Sequence, residues 1–389
     1  MSEERVPIVG VNAEALTTAG GESVSGIRTF LRRFRSGSKN SRWWSTSPTW
    51  STPILLTVII LLLVLIMGQL GLGTVTLEAL ILVTAVVGLY TYSGLTGILS
   101  FGHVAFMAIG GYTVMILTIP PDLKHYALPA LPHALATIGI GPMEALPIAW
   151  LAGVVSASLF GLLVWRLGGL AASIASLMFL LIIYTIANGW VGFTGGSGAV
   201  GNIPLVLGLV PAFTVSVLAI WLTYGFRRTK WARFAEAARE DEPAAVAIGI
   251  RINFVRWLSM SLSGGTMAVA GGLYAYSVGS MSPQFFYLPM MFLLLAMLVV
   301  GGILSLTGAV VGVGVVEILQ QLLLPLDNGG HLLGVSIGGH PGSRLVVLGL
   351  IMLFVLTRLP GGIVKGREIQ LPLRGPREQT DGAVLDEPR

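Results

Sequence analysis

Residues 227–256 read RRTKWARFAEAAREDEPAAVAIGIRINFVR, and long apolar runs flank them on both sides. Seven of the chain's 23 Lys and Arg fall here, together with Glu236, Glu240, Asp241 and Glu242. An apolar chain that breaks for one basic segment exposes that segment on one side of a membrane. Its internal order is helix, stop, helix. Trp231 to Arg239 is rich in Ala and other favourable helix formers. Asp241 is a good N-cap, and Pro243 fits the first turn, where an N–H would go unpaired anyway. Ala244 to Ile248 then forms a short helix that Gly249 stops. The apolar residues of that helix, with Ala244, Ala245 and Ile248 as the expected contacts, make a small flat face suited to a groove on a partner. A solvated helical loop is the plain alternative.

Working outward, the 389 residues are 54% hydrophobic and only 11% charged. Uncharged apolar runs of about twenty residues read as membrane helices. The chain has no cysteine, which excludes disulfides, thiolate metal sites and thiol nucleophiles. The formal charge of +5 is not a nucleic-acid signal, because the basic residues lie beside apolar runs, where they meet lipid headgroups. The first 53 residues are polar, so no cleavable signal peptide is expected.

These features predict an all-α polytopic membrane protein in three parts. Residues 1–53 form a basic tail, with Arg28, Leu31, Arg32 and Arg35 on a surface helix and Trp43, Trp44 and Trp50 at the interface. Residues 54–358 form a transmembrane domain, and 359–389 a second polar tail with Lys365, Arg367, Arg374 and Arg377. Ten spans are predicted, near 54–72, 75–92, 97–119, 146–165, 170–190, 206–226, 257–278, 289–300, 303–324 and 345–356. Ten spans put both tails on one side, with the turn at Arg166 and the 227–256 loop. Those segments hold every Lys and Arg except Lys124 and Arg344, so the positive-inside rule places them in the cytoplasm. Trp150, Trp165, Trp190 and Trp257 are expected at span ends.

Polar residues inside the spans are few. The third predicted span carries Gly at 97, 102, 110 and 111 beside His103, and Gly94 precedes it. Glycine permits close helix approach or a break beside a cavity, and an intramembrane His is either a functional group or a hydrogen-bonded packing residue. Glu317, Gln320 and Gln321 share a helix face by spacing. Gly97-Ile98-Leu99-Ser100 recurs as Gly302-Ile303-Leu304-Ser305, a weak internal repeat of the kind transporters carry. His125, His133, His331 and His340 fall in outward loops without metal-ligand spacing, so no metal site is expected.

Three stretches together resemble the LivM-like permease subunit of bacterial branched-chain amino acid ABC importers. The first is GLYTYSGLTGILSFGHVAFMAIGGY at 88–112, with Ser100, Gly102, His103 and Phe106 as its core. The second is TGGSGAVGNIP at 194–204, opening with Thr194, Gly195, Gly196 and Ser197. The third is 239–308, with Ala270-Gly271-Gly272-Leu273-Tyr274, Ser282-Pro283 and Gly301, Gly302, Ser305 and Gly308. The ending TRLPGGIVKG also fits. Departures exist: the family's Glu-Ala-Ala frame reads Pro243-Ala244-Ala245 here, with Glu242 one place early and Gly249 at the expected stop.

The resemblance implies an inner-membrane, multi-pass transport subunit that is not itself an enzyme and works by alternating access. It implies two separate ATPase subunits carrying ATP and Mg, a second homologous LivH-like permease and a periplasmic substrate-binding protein. Asp241, Glu242, Pro243, Ala244, Ala245, Ile248 and Gly249 would couple to the ATPase. Ser100, Gly102, His103, Phe106 and Glu317 are pathway candidates, and Thr194 to Ser197 an outward loop. None of Lys39, Lys124, Lys230 and Lys365 follows a Gly, so the chain carries no Gly-Lys-Ser/Thr phosphate loop. Two other classes are weighed. An ion-coupled secondary transporter of a small polar solute would rest on Glu317 and His103. A membrane-embedded enzyme would need a cluster of acids or ligands that the sequence lacks.

Overall fold

Hydrocarbon offers no hydrogen bonds to a backbone, so each apolar run of this chain must satisfy its own amides by forming a helix. The computed structural model describes residues 44–45, 51–205, 207–328, 330–332, 335–337, 340, 342–359 and 361–369. The expected surface helix at Arg28–Arg35, the interfacial Trp43 and Trp50, and Arg374 and Arg377 lie outside the described residues.

In chain order the elements are β1 (Trp44–Ser45), α1 (Ser51–Gln69), α2 (Gly73–Thr96) and α3 (Val104–Thr118). Two short helices follow, α4 (Pro121–Ala127) and α5 (His133–Ala136), then α6 (Pro142–Leu163), α7 (Gly169–Gly189) and α8 (Val191–Thr194). Next come α9 (Leu209–Arg227), α10 (Lys230–Glu240), α11 (Glu242–Ala247) and α12 (Ile252–Val278). A 3-10 turn (Pro283–Phe286) leads to α13 (Leu288–Gly301), α14 (Leu306–Leu322) and α15 (Leu324–Asn328). The described chain closes with β2 (Gly330–Leu332), β3 (Val335–Ile337), α16 (Ser343–Arg358) and β4 (Glu368–Ile369). The only strand pairings among the described residues are β1 with β4 and β2 with β3.

Among the described residues, seven stretches are long and apolar enough to cross a membrane: α1, α2, α6, α7, α9, Pro283–Gly301 and Leu306–Asp327. Two shorter apolar helices, α3 and the Val346–Val355 part of α16, join them. α12 has 27 residues, ample to span, but is less apolar than the seven. Each of the ten predicted spans therefore has its helix, and the chain is an all-α polytopic membrane protein.

α2 forms the centre and is the most buried of the seven. α12 packs along α6, α2 and α3. Small residues make that approach possible: a Cβ on Gly271 would collide with the Met107 carbonyl, and one on Gly110 with that of Ala268. α1 and α7 are peripheral. Leu170, Ile174, Met178, Ile182 and Ile186 recur every four residues along α7 and are exposed, which makes an apolar stripe on the outside of the helix bundle.

The third predicted span is not one helix. α2 runs on to Thr96 and ends at Gly97, whose φ of 73° is left-handed. Residues 98–103 are not helical, and α3 begins only at Val104. The repeat of this tetrapeptide does the same work: α13 ends, Gly302 takes φ 121°, and α14 starts at Leu306 with the Ser305 hydroxyl accepting from Gly308 N at 2.9 Å. Both Gly-Ile-Leu-Ser stretches thus follow a helix that ends at a positive-φ Gly, but only the second caps the next helix with its Ser.

Loops gather at two poles. At one, Arg239 Nη1 donates to the Gly94 carbonyl at 2.7 Å, and Arg227 reaches Glu236 and Glu368. At the other, Val200 and Met281 exchange backbone hydrogen bonds of 2.8 and 2.9 Å, and Ala130 N donates to Gly192 O. The two cations that fall outside the basic segments are both held at this second pole. Lys124 is buried and donates to the carbonyls of Leu135 and Ile138, and burial lowers its pKa. Arg344 pairs with Asp327 at 3.3 Å. Of the tryptophans expected at span ends, Trp165 and Trp190 lie there. Trp257, in the second turn of α12, donates from its indole N–H to Ser158 O at 3.0 Å. Trp150 lies inside α6, because that helix starts at Pro142 rather than near Leu146, and its indole rests against Gly265.

Candidate functional site

The charged pole carries an elbow built from α10 and α11. Thr229 caps α10, accepting from Ala232 N at 3.4 Å. Ala232, Ala235 and Ala238 recur every three residues and form its buried face, while polar residues look outward. Asp241 then caps α11, its Oδ1 accepting from Ala244 N at 3.0 Å, with Pro243 in the first turn. The helix ends in a paired reversal. Gly249, at φ 85°, donates to Val246 O, and Ile250 N donates to Ala245 O at 3.0 Å.

That reversal fixes which side faces where. Ala245 is 3% exposed and packs with Ala238 and Ile252. It therefore seats α11 on its own chain and is not available to a partner, contrary to the expectation that grouped it with Ala244 and Ile248. Ala244, Val246, Ala247 and Ile248 are exposed, and the two largest, Val246 and Ile248, are 60% and 76% exposed. Val246 was missed because a six-residue helix has too few turns to display a face. Glu242 is engaged too: its carboxylate meets the guanidinium of Arg256 on α12 with contacts of 3.2 and 2.8 Å. The elbow is thus anchored to α2 by Arg239, to α9 by Arg227 and to α12 by Arg256.

Four pathway candidates come together at the first break. Ser100, Gly102, His103 and Phe106 are all buried. The His103 ring stacks on Tyr92 (5.2 Å between centroids) and meets the edge of Phe106 at 5.6 Å. Phe106 continues into Phe179 and Phe160. Neither ring nitrogen of His103, nor the Ser100 hydroxyl, has a hydrogen-bond partner among the described residues. Phe101 N donates to Ser176 Oγ at 3.0 Å, and a Cβ on Gly102 would collide with the Ser176 carbonyl, so α7 clasps the break.

Glu317 does not join this group. It lines a separate cavity of about 260 Å³ between α1, α2 and α14. Its Oε1 accepts from Gln321 at 3.1 Å, while Oε2 has no partner among the described residues. The outward loop is a built turn. Thr194 Oγ1 donates to Ala187 O (2.6 Å) and lies 2.8 Å from Trp190 O, and Gly195 and Gly196 take φ 80° and 62°. Thr194 and the two glycines therefore shape the loop, and Ser197 stands exposed at its tip.

One buried group escaped the sequence reading. Glu368, in the tail expected to be polar, is fully buried and accepts from Leu306 N (2.8 Å), Thr307 N (3.0 Å), Thr307 Oγ1 (2.6 Å) and the Arg227 guanidinium. No local pattern marks it, because its partners are at least 61 positions away.

A many-helix domain with membrane-length apolar helices, a capped elbow at one pole and paired helix breaks beside it defines a polytopic membrane protein. The family model described as "Branched-chain amino acid transport system / permease component" matches residues 71–356, and the chain belongs to that family. It is similar to the high-affinity branched-chain amino acid transport system permease protein LivM of Escherichia coli (strain K12), 25% identical over 78% of this chain and 72% of the relative. It is similar to the protein of the same name from Salmonella typhimurium, 25% identical over 79% and 72%. The autoinducer 2 import system permease protein LsrC of Salmonella paratyphi B is 25% identical over 49% of this chain and 58% of its own length. No solved structure matches.

Proposed function

We propose that this chain is the membrane-spanning subunit of an ATP-driven importer for branched-chain or related hydrophobic amino acids, seated in the bacterial inner membrane. The observation that carries the reading is the elbow. A capped helix presents Val246 and Ile248 at the basic pole of a chain with no phosphate loop, and family membership supports the solute class. Separate ATPase subunits bind ATP and Mg and receive α11 in a groove. A LivH-like permease pairs with this chain, and a periplasmic binding protein delivers solute to the opposite pole, where Ser197 stands. ATP binding and solute loading each favour one of two arrangements, which gives alternating access. Ser100, Gly102, His103 and Phe106 form the closed part of the pathway.

The test is uptake of labelled leucine into proteoliposomes holding the assembled subunits and binding protein. ATP-dependent uptake that persists with a proton ionophore supports the proposal. Uptake that needs no ATPase and collapses with the ionophore assigns the chain to ion-coupled transport instead. Competition by isoleucine, valine and autoinducer 2 reports which solute class the pathway accepts.

A further inference from the structure

We infer that the segment 361–369 is a bracket across the second helix break, and that Glu368 is a positioning residue that joins this bracket to the elbow. The inference rests on the elbow being the coupling element. Ile363 N donates to Val300 O at 2.9 Å and Val364 N to Gly301 O at 3.0 Å, so the segment binds the last carbonyls of α13. Gly362 lies so close to Gly302 that a Cβ there would be 2.5 Å from its Cα. A few residues later, Glu368 takes the first amides of α14, those of Leu306 and Thr307. A helix start has unpaired N–H groups and a positive dipole end, so a buried carboxylate is well placed there. Both flanks of the break at 302–305 are therefore held by one short segment.

The bracket has a handle. Arg227, at the root of the elbow, reaches Glu368 with Nη1 and Glu236 of α10 with Nε at 3.2 Å. The path from α10 to α14 is Glu236, Arg227, Glu368, then Leu306 and Thr307. Three of its polar groups (Arg227, Glu368 and Thr307) are nearly inaccessible to water, and a buried network of this kind holds its geometry because leaving any member unpaired is costly. Next to the break, Ile303 and Leu304 face Gly97 and Leu99 of the first break across a cavity of about 610 Å³. A shift of α10 can thus be passed by hydrogen bonds to backbone that has room to move.

Two measurements test this. Spin labels on cysteines at Ala237 and Leu304 of the otherwise cysteine-free full chain, in nanodiscs, give a distance distribution without any ATPase present. Glu368→Gln should broaden it, as should Glu236→Gln, whose site is part-exposed and tolerates the change if Glu368→Gln fails to fold. In proteoliposomes with the assembled importer, ATP hydrolysed per solute transported should rise roughly fivefold or more, the lower end of typical coupling strengths. An unchanged distribution with both variants overturns the inference. So does a proportional fall of transport and hydrolysis, which marks Glu368 as a stabilising cap alone. Absence of ATP-driven transport in the unsubstituted chain would instead sink the importer reading and leave the distance measurement standing.

Discussion

Ala245 and Ile248 are three residues apart and meet opposite surroundings, and their substitutions should part accordingly. Ala245→Arg forces a long cation into the Ala238–Ile252 contact and should destabilise the chain by about 1–3 kcal/mol. Ile248→Arg lies in the open, and its effect on thermal unfolding should stay within about 0.5 kcal/mol. Yet it should abolish co-purification with the ATPase subunit; retained binding would remove Ile248 from the docking surface. Asp241→Ala should lose about 1 kcal/mol of local stability, read as faster amide exchange over 242–249, with Asn restoring most of it. Asp241 and Gly249 were legible in the sequence because a cap is decided by its nearest neighbours. The inward turn of Ala245 was not, because it depends on packing against α10 and α12.

At the scale of elements, the breaks separate glycines that matter from those that do not. Gly102→Ala sets a Cβ against the Ser176 backbone, which has no flexible end to give way. A loss of about 1–3 kcal/mol is expected, seen as a lower melting temperature in detergent. Gly314→Ala meets nothing within 4 Å, on the wall of the Glu317 cavity, and should be neutral or stabilise α14 by up to about 1 kcal/mol. Equal effects at the two positions would contradict this packing. The sequence read 97–119 as one span because a glycine-rich apolar run has the same composition whether or not it is interrupted. The recurrence at 302–305 was the legible trace of the interruption; what it lacked was the positive φ that ends each preceding helix.

For the whole molecule, the two poles predict a clean partition. Single cysteines at Ala237 and Ser197, both exposed, should respond oppositely to an impermeant thiol reagent in intact cells: the first protected, the second labelled. Labelling of both from outside would overturn the orientation. The apolar runs and the charge bias were readable from composition, since they sum over many residues, and the two cations that the bias leaves over, Lys124 and Arg344, are each held by partners of their own. Glu368 was unreadable for the opposite reason. It acts through Arg227, 141 positions away, and no window of sequence contains both.

α12 is the least autonomous of the spanning helices: it carries Ser259, Ser261, Ser263 and Thr266 along a glycine-rich stretch, and it buries them against α2, α3 and α6. Its partners are synthesised first. Until residues 252–278 emerge from the ribosome, the small-residue faces of those partners confront lipid, and α12 itself gains little by entering the bilayer alone. Biogenesis therefore has a commitment point near residue 278, before which the nascent protein is an attractive target for membrane proteases. In a pulse-chase, a chain stopped at 250 should be cleared several times faster than one stopped at 282, although the two differ by a single helix. Equal lifetimes would mean that the earlier helices close on themselves and that α12 arrives as a late guest.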